Sequence, residues 1–159
     1  MTQPRNDDVS DIPLDSFEDD SAPVTPDQIK VLIVDDSAMM RRLLARALTD
    51  LGFTKILVSE DGAAGLAAAE REAPDIIISD YDMPGMHGLE FIEAVRSNEA
   101  LDQTAIIMLS AADDQGVVES ARDLGADTFM VKPFGTADLK DLIGTLYQRF
   151  NCAQIVWPD

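Results

Sequence analysis

Five short apolar runs punctuate the chain after residue 28, at 31–34, 56–58, 76–78, 105–109 and 129–131. None contains a charged residue, and most positions carry β-branched or bulky side chains, from Val31 and Ile33 to Phe129 and Val131. Continuous runs this short suit strands buried on both faces, as in a parallel sheet covered by helices. Between the runs, apolar residues recur at helical spacing. Met39, Met40, Leu43, Leu44, Ala47 and Leu48 form one stripe, followed by Gly52. Ala63, Leu66 and Ala67 form a thinner one, closed by Pro74. Leu89, Ile92, Val95 and Arg96 mark a third, and Val117, Val118, Ala121 and Leu124 a fourth, ahead of Gly125. Leu139, Leu142, Ile143 and Leu146 mark a fifth, which Thr136 can cap. Strand and helix thus alternate five times, which predicts an α/β open sheet with right-handed crossovers.

In such sheets chemistry collects at the carboxyl ends of the strands. The first predicted strand ends in Asp35 and Asp36, and the third in Asp80 with Asp82 two residues later. The fourth ends in Ser110 and the fifth in Lys132 and Pro133, while Ser59, Glu60 and Asp61 after the second read as an ordinary helix cap. Singly, each is explained as a cap, a turn former or a solvated lysine. Together they crowd carboxylates onto one rim, where mutual repulsion calls for a cation, and hard oxygen ligands favour Mg²⁺. A lysine and a hydroxyl opposite suit a tetrahedral anion. Asp80 is then expected to act as a nucleophile on phosphorus, with Mg²⁺ held by Asp35, Asp36 and Asp80. Lys132 and Ser110 would take the remaining phosphoryl oxygens.

Charge and composition narrow the field. With 159 residues, 12 basic against 30 acidic, the chain has a net charge of −18. That sign opposes non-specific nucleic-acid binding and an anionic membrane surface. The single cysteine, Cys152, rules out an internal disulfide or a cysteine-based zinc site and fits a reducing cytoplasm. Neither a signal-peptide pattern nor an apolar run near ~20 residues is present, so a cytoplasmic location without membrane insertion is expected.

Residues 1–27 hold eight carboxylates against Arg5 alone and are interrupted by Pro4, Pro13, Pro23 and Pro26. Such a stretch is expected to be a disordered acidic tail, either a solubilising leader or an acidic arm for a basic partner. The expected organisation is this tail, one domain over 28–150, and a short tail over 151–159. Within that last tail, Ile155, Val156 and Trp157 are expected to fold back on the domain, because exposing them together is unfavourable. Nothing after residue 150 reads as a helix-turn-helix, so the output is expected to be a protein contact.

The run from Val31 through Asp35 and Asp36 to Arg42 resembles the first strand, acid pair and first helix of a two-component response-regulator receiver domain. The resemblance extends through Glu60, Asp61 and Gly62, the Asp75-to-Gly88 segment around Asp80, Met108 to Ala111, and Met130 to Phe134. It is nearest the CheY-like, stand-alone type. It implies a doubly wound, flavodoxin-like (β/α)5 fold with strand order 2-1-3-4-5. It also implies a switch that is not a turnover enzyme: Asp80 accepts a phosphoryl group from a histidine kinase or phosphotransferase, and a downstream protein is contacted. Asp35 and Asp36 would bind Mg²⁺ with Asp80 and the Asp82 carbonyl, Ser110 would move toward the phosphoryl group, and Phe129 would turn inward behind it. The target would meet the face carrying Phe129, with the protein a monomer or weak dimer. The Lys132–Pro133 bond would be cis.

Several positions depart from the common pattern. Ser110 stands for a threonine, Phe129 lacks a phenol, and His87, the sole histidine, replaces a frequent aspartate and is given no metal role. Ala112 offers no polar side chain to position water.

A haloacid-dehalogenase-like phosphatase is the alternative, since Asp80-Tyr81-Asp82 fits its nucleophile motif. In that family the nucleophile strand comes first and the acid pair last, and Met83-Pro84 is a poor continuation. A nucleotide-binding flavodoxin-like module lacks its anion loop here, because Asp35 and Asp36 would repel a phosphate. A degenerate receiver is disfavoured by the complete residue set.

Overall fold

The computed structural model describes residues 23–83, 85–110, 115–151 and 153–158. The strands are β1 (Lys30–Val34), β2 (Lys55–Ser59), β3 (Ile76–Asp80), β4 (Ala105–Ser110) and β5 (Thr128–Val131). They form one parallel sheet in the order β2-β1-β3-β4-β5. The intervening helices are α1 (Ala38–Asp50), α2 (Gly62–Glu72), α3 (Gly88–Arg96), α4 (Gln115–Leu124) and α5 (Thr136–Asn151). The expected strand order and doubly wound architecture are therefore found.

Alternation along the central strands builds two cores. Val31 and Ile33 of β1, Ile76 and Ile78 of β3, and Ile107 and Leu109 of β4 point to one side. There they meet Leu44 and Leu48 of α1 and Leu139, Ile143 and Leu146 of α5. Leu32, Val34, Ile77, Ile106 and Met108 point to the other side, against Ala68 and Ala69 of α2 and Phe91, Ile92 and Val95 of α3. Burial on both faces holds for β1, β3 and β4 only. In β2 and β5, Val58 and Val131 are exposed, because these strands edge the open sheet and are not flanked on both sides.

Local signals end the helices much as expected. The Ser37 hydroxyl accepts from the Met40 N–H at 3.2 Å, capping α1, and Asp61 accepts from the Ala64 N–H at 2.8 Å, capping α2. Thr136 is the first helical residue of α5 and not its cap. The Gly135 carbonyl instead accepts from the Leu139 N–H, and the Gly135 N–H donates to Asp138. The third stripe is also corrected. Phe91 is buried, whereas Arg96 leaves the stripe, donating to the Gly125 and Leu101 carbonyls and pairing with Asp127 at 2.8 Å. Asp127 in turn accepts from the Ile106 N–H, so this ion pair staples α3 to the start of β4 and β5.

Two residues just ahead of the expected boundary at residue 28 make contact with the described chain. Val24 forms a parallel bridge with Ile155, and Pro26 is buried. The acidity of the first 27 residues masks this short apolar contact, which only the C-terminal segment can supply. Ile155 is buried and Trp157 packs edge-on against Phe53 at 5.9 Å, as expected for a segment that folds back. The reading of residues 1–22 as a disordered tail lies outside the described residues, as do Cys152, Pro84, Ala111, Ala112 and the side chain of Val117.

Candidate functional site

Parallel strands joined by right-handed crossovers all end on the same rim, so the sheet brings together residues up to a hundred positions apart. β1 and β3 are neighbours, and their ends deliver Asp35, Asp36 and Asp80 with carboxylate oxygens all within 4.8 Å of one another. Asp35 and Asp80 are buried and Asp36 is exposed, so the cluster opens to solvent on one side. Asp82 is exposed and its carboxylate stays out of the cluster.

Asp35 is held on several sides. Its N–H donates to the Ser59 carbonyl, its Oδ1 accepts from the Ser37 N–H at 2.9 Å, and its carbonyl accepts from Arg41 at 2.7 Å. Among the described residues its Oδ2 is buried with no hydrogen-bond partner. Burial pushes the carboxyl above the usual carboxylate range. The Ser37 N–H opposes that shift, the Asp80 charge adds to it, Lys132 opposes it and Asp36 adds again.

From β5 the Lys132 ammonium reaches across β4 to Asp80 Oδ1, at 2.9 Å. The backbone beneath it is tied to β4, since the Lys132 N–H donates to the Ser110 carbonyl at 2.8 Å. The Lys132–Pro133 bond is cis, as expected. Ser110 ends β4, buried, between the ends of β3 and β5. Phe129 lies two strand positions before Val131, half-buried against the second core, with the Arg122 guanidinium 5.9 Å from its ring centre. The residues singled out for the site thus converge, apart from Asp82 and Phe129, which flank it.

Several contacts around the site escaped the sequence reading. The Ser79 hydroxyl, fully buried, donates to the Asp80 carbonyl at 3.1 Å; a small polar residue in an apolar run was its only signal. Tyr81 and His87 meet edge-on at 4.5 Å, so the histidine is half-buried against the loop after Asp80. Gly88 starts α3 where a Cβ would sit 2.7 Å from the Tyr81 carbonyl and 2.9 Å from that of Asp80. Backbone atoms cannot yield as a flexible side chain can, so Gly88→Ala is expected to destabilise the fold by about 1–3 kcal/mol. It should also displace the loop carrying Asp80, and urea unfolding monitored by Trp157 fluorescence checks the stability.

A rim with three clustered carboxylates and an ammonium on one of them can hold a hard divalent cation beside an anion. The unpartnered Asp35 Oδ2 fits such a cation, because a buried carboxylate oxygen is seldom left without a partner. The response regulator receiver domain profile matches residues 31–144, reaching into all five strands and covering every residue of this rim.

The chain belongs to the response regulator receiver domain family.

Its relatives agree in length with the receiver domain itself. A Rhizobium etli protein named "Probable chemotaxis protein CheY" is 40% identical over 121 residues, covering 76% of this chain and 94% of the relative. The chemotaxis protein CheY of Pseudomonas aeruginosa is 35% identical over 123 residues, covering 77% and 99%. Among solved structures, Vibrio cholerae chemotaxis protein CheY4 superposes with a TM-score of 0.70 at 35% identity, covering 77% of this receiver chain and 98% of that one. Receiver domains of this kind are signalling switches, which removes the dehalogenase-like phosphatase reading. Among the described residues no helix is long and apolar enough to cross a membrane.

Proposed function

We propose that this receiver domain takes a phosphoryl group onto Asp80 from a histidine kinase or histidine phosphotransferase and signals through phosphorylation-dependent protein contact. The observation that carries the reading is the Lys132–Asp80 pair at 2.9 Å beside the three-carboxylate cluster. Asp35, Asp36 and Asp80, with the Asp82 carbonyl, would hold Mg²⁺, which when bound offsets negative charge on the phosphoryl oxygens.

The chain's own residues do the rest. An Asp80 carboxylate oxygen attacks phosphorus, and the bond from phosphorus to the donor nitrogen breaks. The bonding electron pair leaves with the imidazole, which takes up a proton. Lys132 then exchanges its contact with Asp80 for one with a phosphoryl oxygen, and the Ser110 hydroxyl donates to another. Positioning and charge carry the acceleration, because phosphoryl transfer asks little else of a protein. Incubation with acetyl phosphate and Mg²⁺ should add one hydroxylamine-labile phosphoryl mass to the intact chain. A chain that stays unmodified refutes the proposal.

The signal would leave by the face carrying Phe129. Phe129, Val131 and Phe134 line a groove of about 470 Å³ together with Asp138, Asp141 and Leu142 of α5. Inward rotation of Phe129, following Ser110 toward the phosphoryl group, would reshape that groove. Phe129→Ala is expected to leave Asp80 labelling within about twofold of wild type while weakening the phosphorylation-dependent gain in target affinity about tenfold. Calorimetry with the beryllofluoride-treated protein reads both free and activated affinities, and an unchanged gain makes Phe129 a core residue only.

A further inference from the structure

The outer face of α1 is apolar and basic on a strongly acidic chain. Met39 is 65% exposed and Leu43 55%. Leu43 also lines a groove of about 240 Å³ with Met40, Ala47, Pro133, Phe134 and Thr136, between α1 and the turn into α5. Arg42 and Arg46 stand exposed along the same face. Among the described residues neither is in an ion pair, and Asp50 is the only acidic residue of α1. Exposed apolar side chains rimmed by exposed cations call for an occupant that is both apolar and acidic.

The chain carries such a segment. Ile12, Leu14 and Phe17 are interleaved with Asp11, Asp15, Glu18, Asp19 and Asp20. The described chain starts beside the right place. Val24 bridges to Ile155, and Pro26 packs next to Gly52, just past the end of α1. Running back from Gly52 to Leu43 covers roughly 14 Å of helix. Phe17 precedes Pro23 by six positions, and six extended residues reach up to about 20 Å. The tether is therefore long enough to lay Leu14 and Phe17 over Leu43 and the groove.

We propose that residues 11–20 dock in cis on α1, with Leu14 and Phe17 on Leu43 and its groove and the flanking carboxylates on Arg42 and Arg46. The tether supplies an effective concentration on the order of millimolar, so a weak contact suffices. The docked segment would border the turn that follows Lys132.

Amide spectra of the full chain test this without reference to phosphorylation. Leu14→Ser with Phe17→Ser should shift the amides of residues 39–47 and 134–136. Arg42→Glu with Arg46→Glu should shift those of residues 11–20, as should raising the salt concentration, which screens the charge pairs. A peptide of residues 8–22 should bind the chain lacking residues 1–22, and the double arginine variant should weaken that binding about fivefold or more. If the tail variant leaves the α1 amides unmoved, the groove belongs to another protein or a second copy and the proposal fails. A sedimentation mass of two chains that reverts to one in the tail variant places the segment on a second copy and overturns docking in cis.

Discussion

Asp80→Asn is expected to lower phosphoryl uptake from acetyl phosphate and Mg²⁺ by at least about 100-fold, because an amide oxygen is a far weaker nucleophile than a carboxylate. Three carboxylates share the rim, and what separates Asp80 from the others is its contact. Asp35 already spends Oδ1 on the Ser37 N–H and lies deepest, whereas Asp36 is exposed and outside the reach of any hydrogen bond among the described residues. Only Asp80 has the Lys132 ammonium on it, at 2.9 Å, where an incoming phosphoryl oxygen can exchange with the carboxylate for the same cation. Intact mass with and without hydroxylamine reads the result. Labelling of the variant to the wild-type extent would put the acceptor elsewhere. Lys132→Ala is the companion, expected to keep Mg²⁺ binding while slowing uptake, since it removes charge from the anion and not from the cation.

Replacing Asp35 and Asp36 by Asn is expected to abolish measurable Mg²⁺ binding and, in metal-free buffer, to stabilise the fold. The two effects have one cause. Without metal the native state keeps three carboxylates within 4.8 Å, one with an unpartnered buried oxygen. Burying the Asp35 charge beside Asp80 and Asp36 is unfavourable and Asn removes that charge, so at neutral pH the variant should gain roughly 1–3 kcal/mol. The sign in pH follows from Asp35. Its folded pKa is raised above the ordinary 3.8, chiefly by burial, so in the window above that value the native state binds the extra proton. Stability of the metal-free wild type therefore falls as pH rises through this window, and the penalty is complete above the folded pKa. Thermal melts across that range should show the decline in wild type and a flatter profile in the variant. Added Mg²⁺ should raise the wild-type melting temperature and leave that of the variant unchanged. Equal Mg²⁺ titrations for the two proteins would refute the assignment.

Much of the site was legible because of how a parallel sheet is wired. Once five apolar runs alternate with five helical stripes, every strand must point the same way, and the residues after each run must share a rim. Asp35, Asp36, Asp80, Ser110 and Lys132 follow from that alone. Arg96 was misread because an arginine at stripe spacing is indistinguishable from a core-facing position until its partner is known. That partner, Asp127, lies 31 residues on. Gly88 was passed over because a glycine at a helix start looks permissive, and only the approach of the Tyr81 backbone makes it necessary.

The sequence by itself determined the order of elements, the two-sided burial of the central strands and the set of groups on the rim. Each of these depends on local periodicity and on the handedness of crossovers, which act within a few dozen residues. The tertiary structure alone decided which strands became edges and lost cover at Val58 and Val131. It also set Lys132 against Asp80 across β4 and brought Val24 to Ile155, over 130 positions away. Periodicity records which face of an element is apolar but not what will lie against it, and contacts at long sequence separation exist only once the chain has closed around its cores.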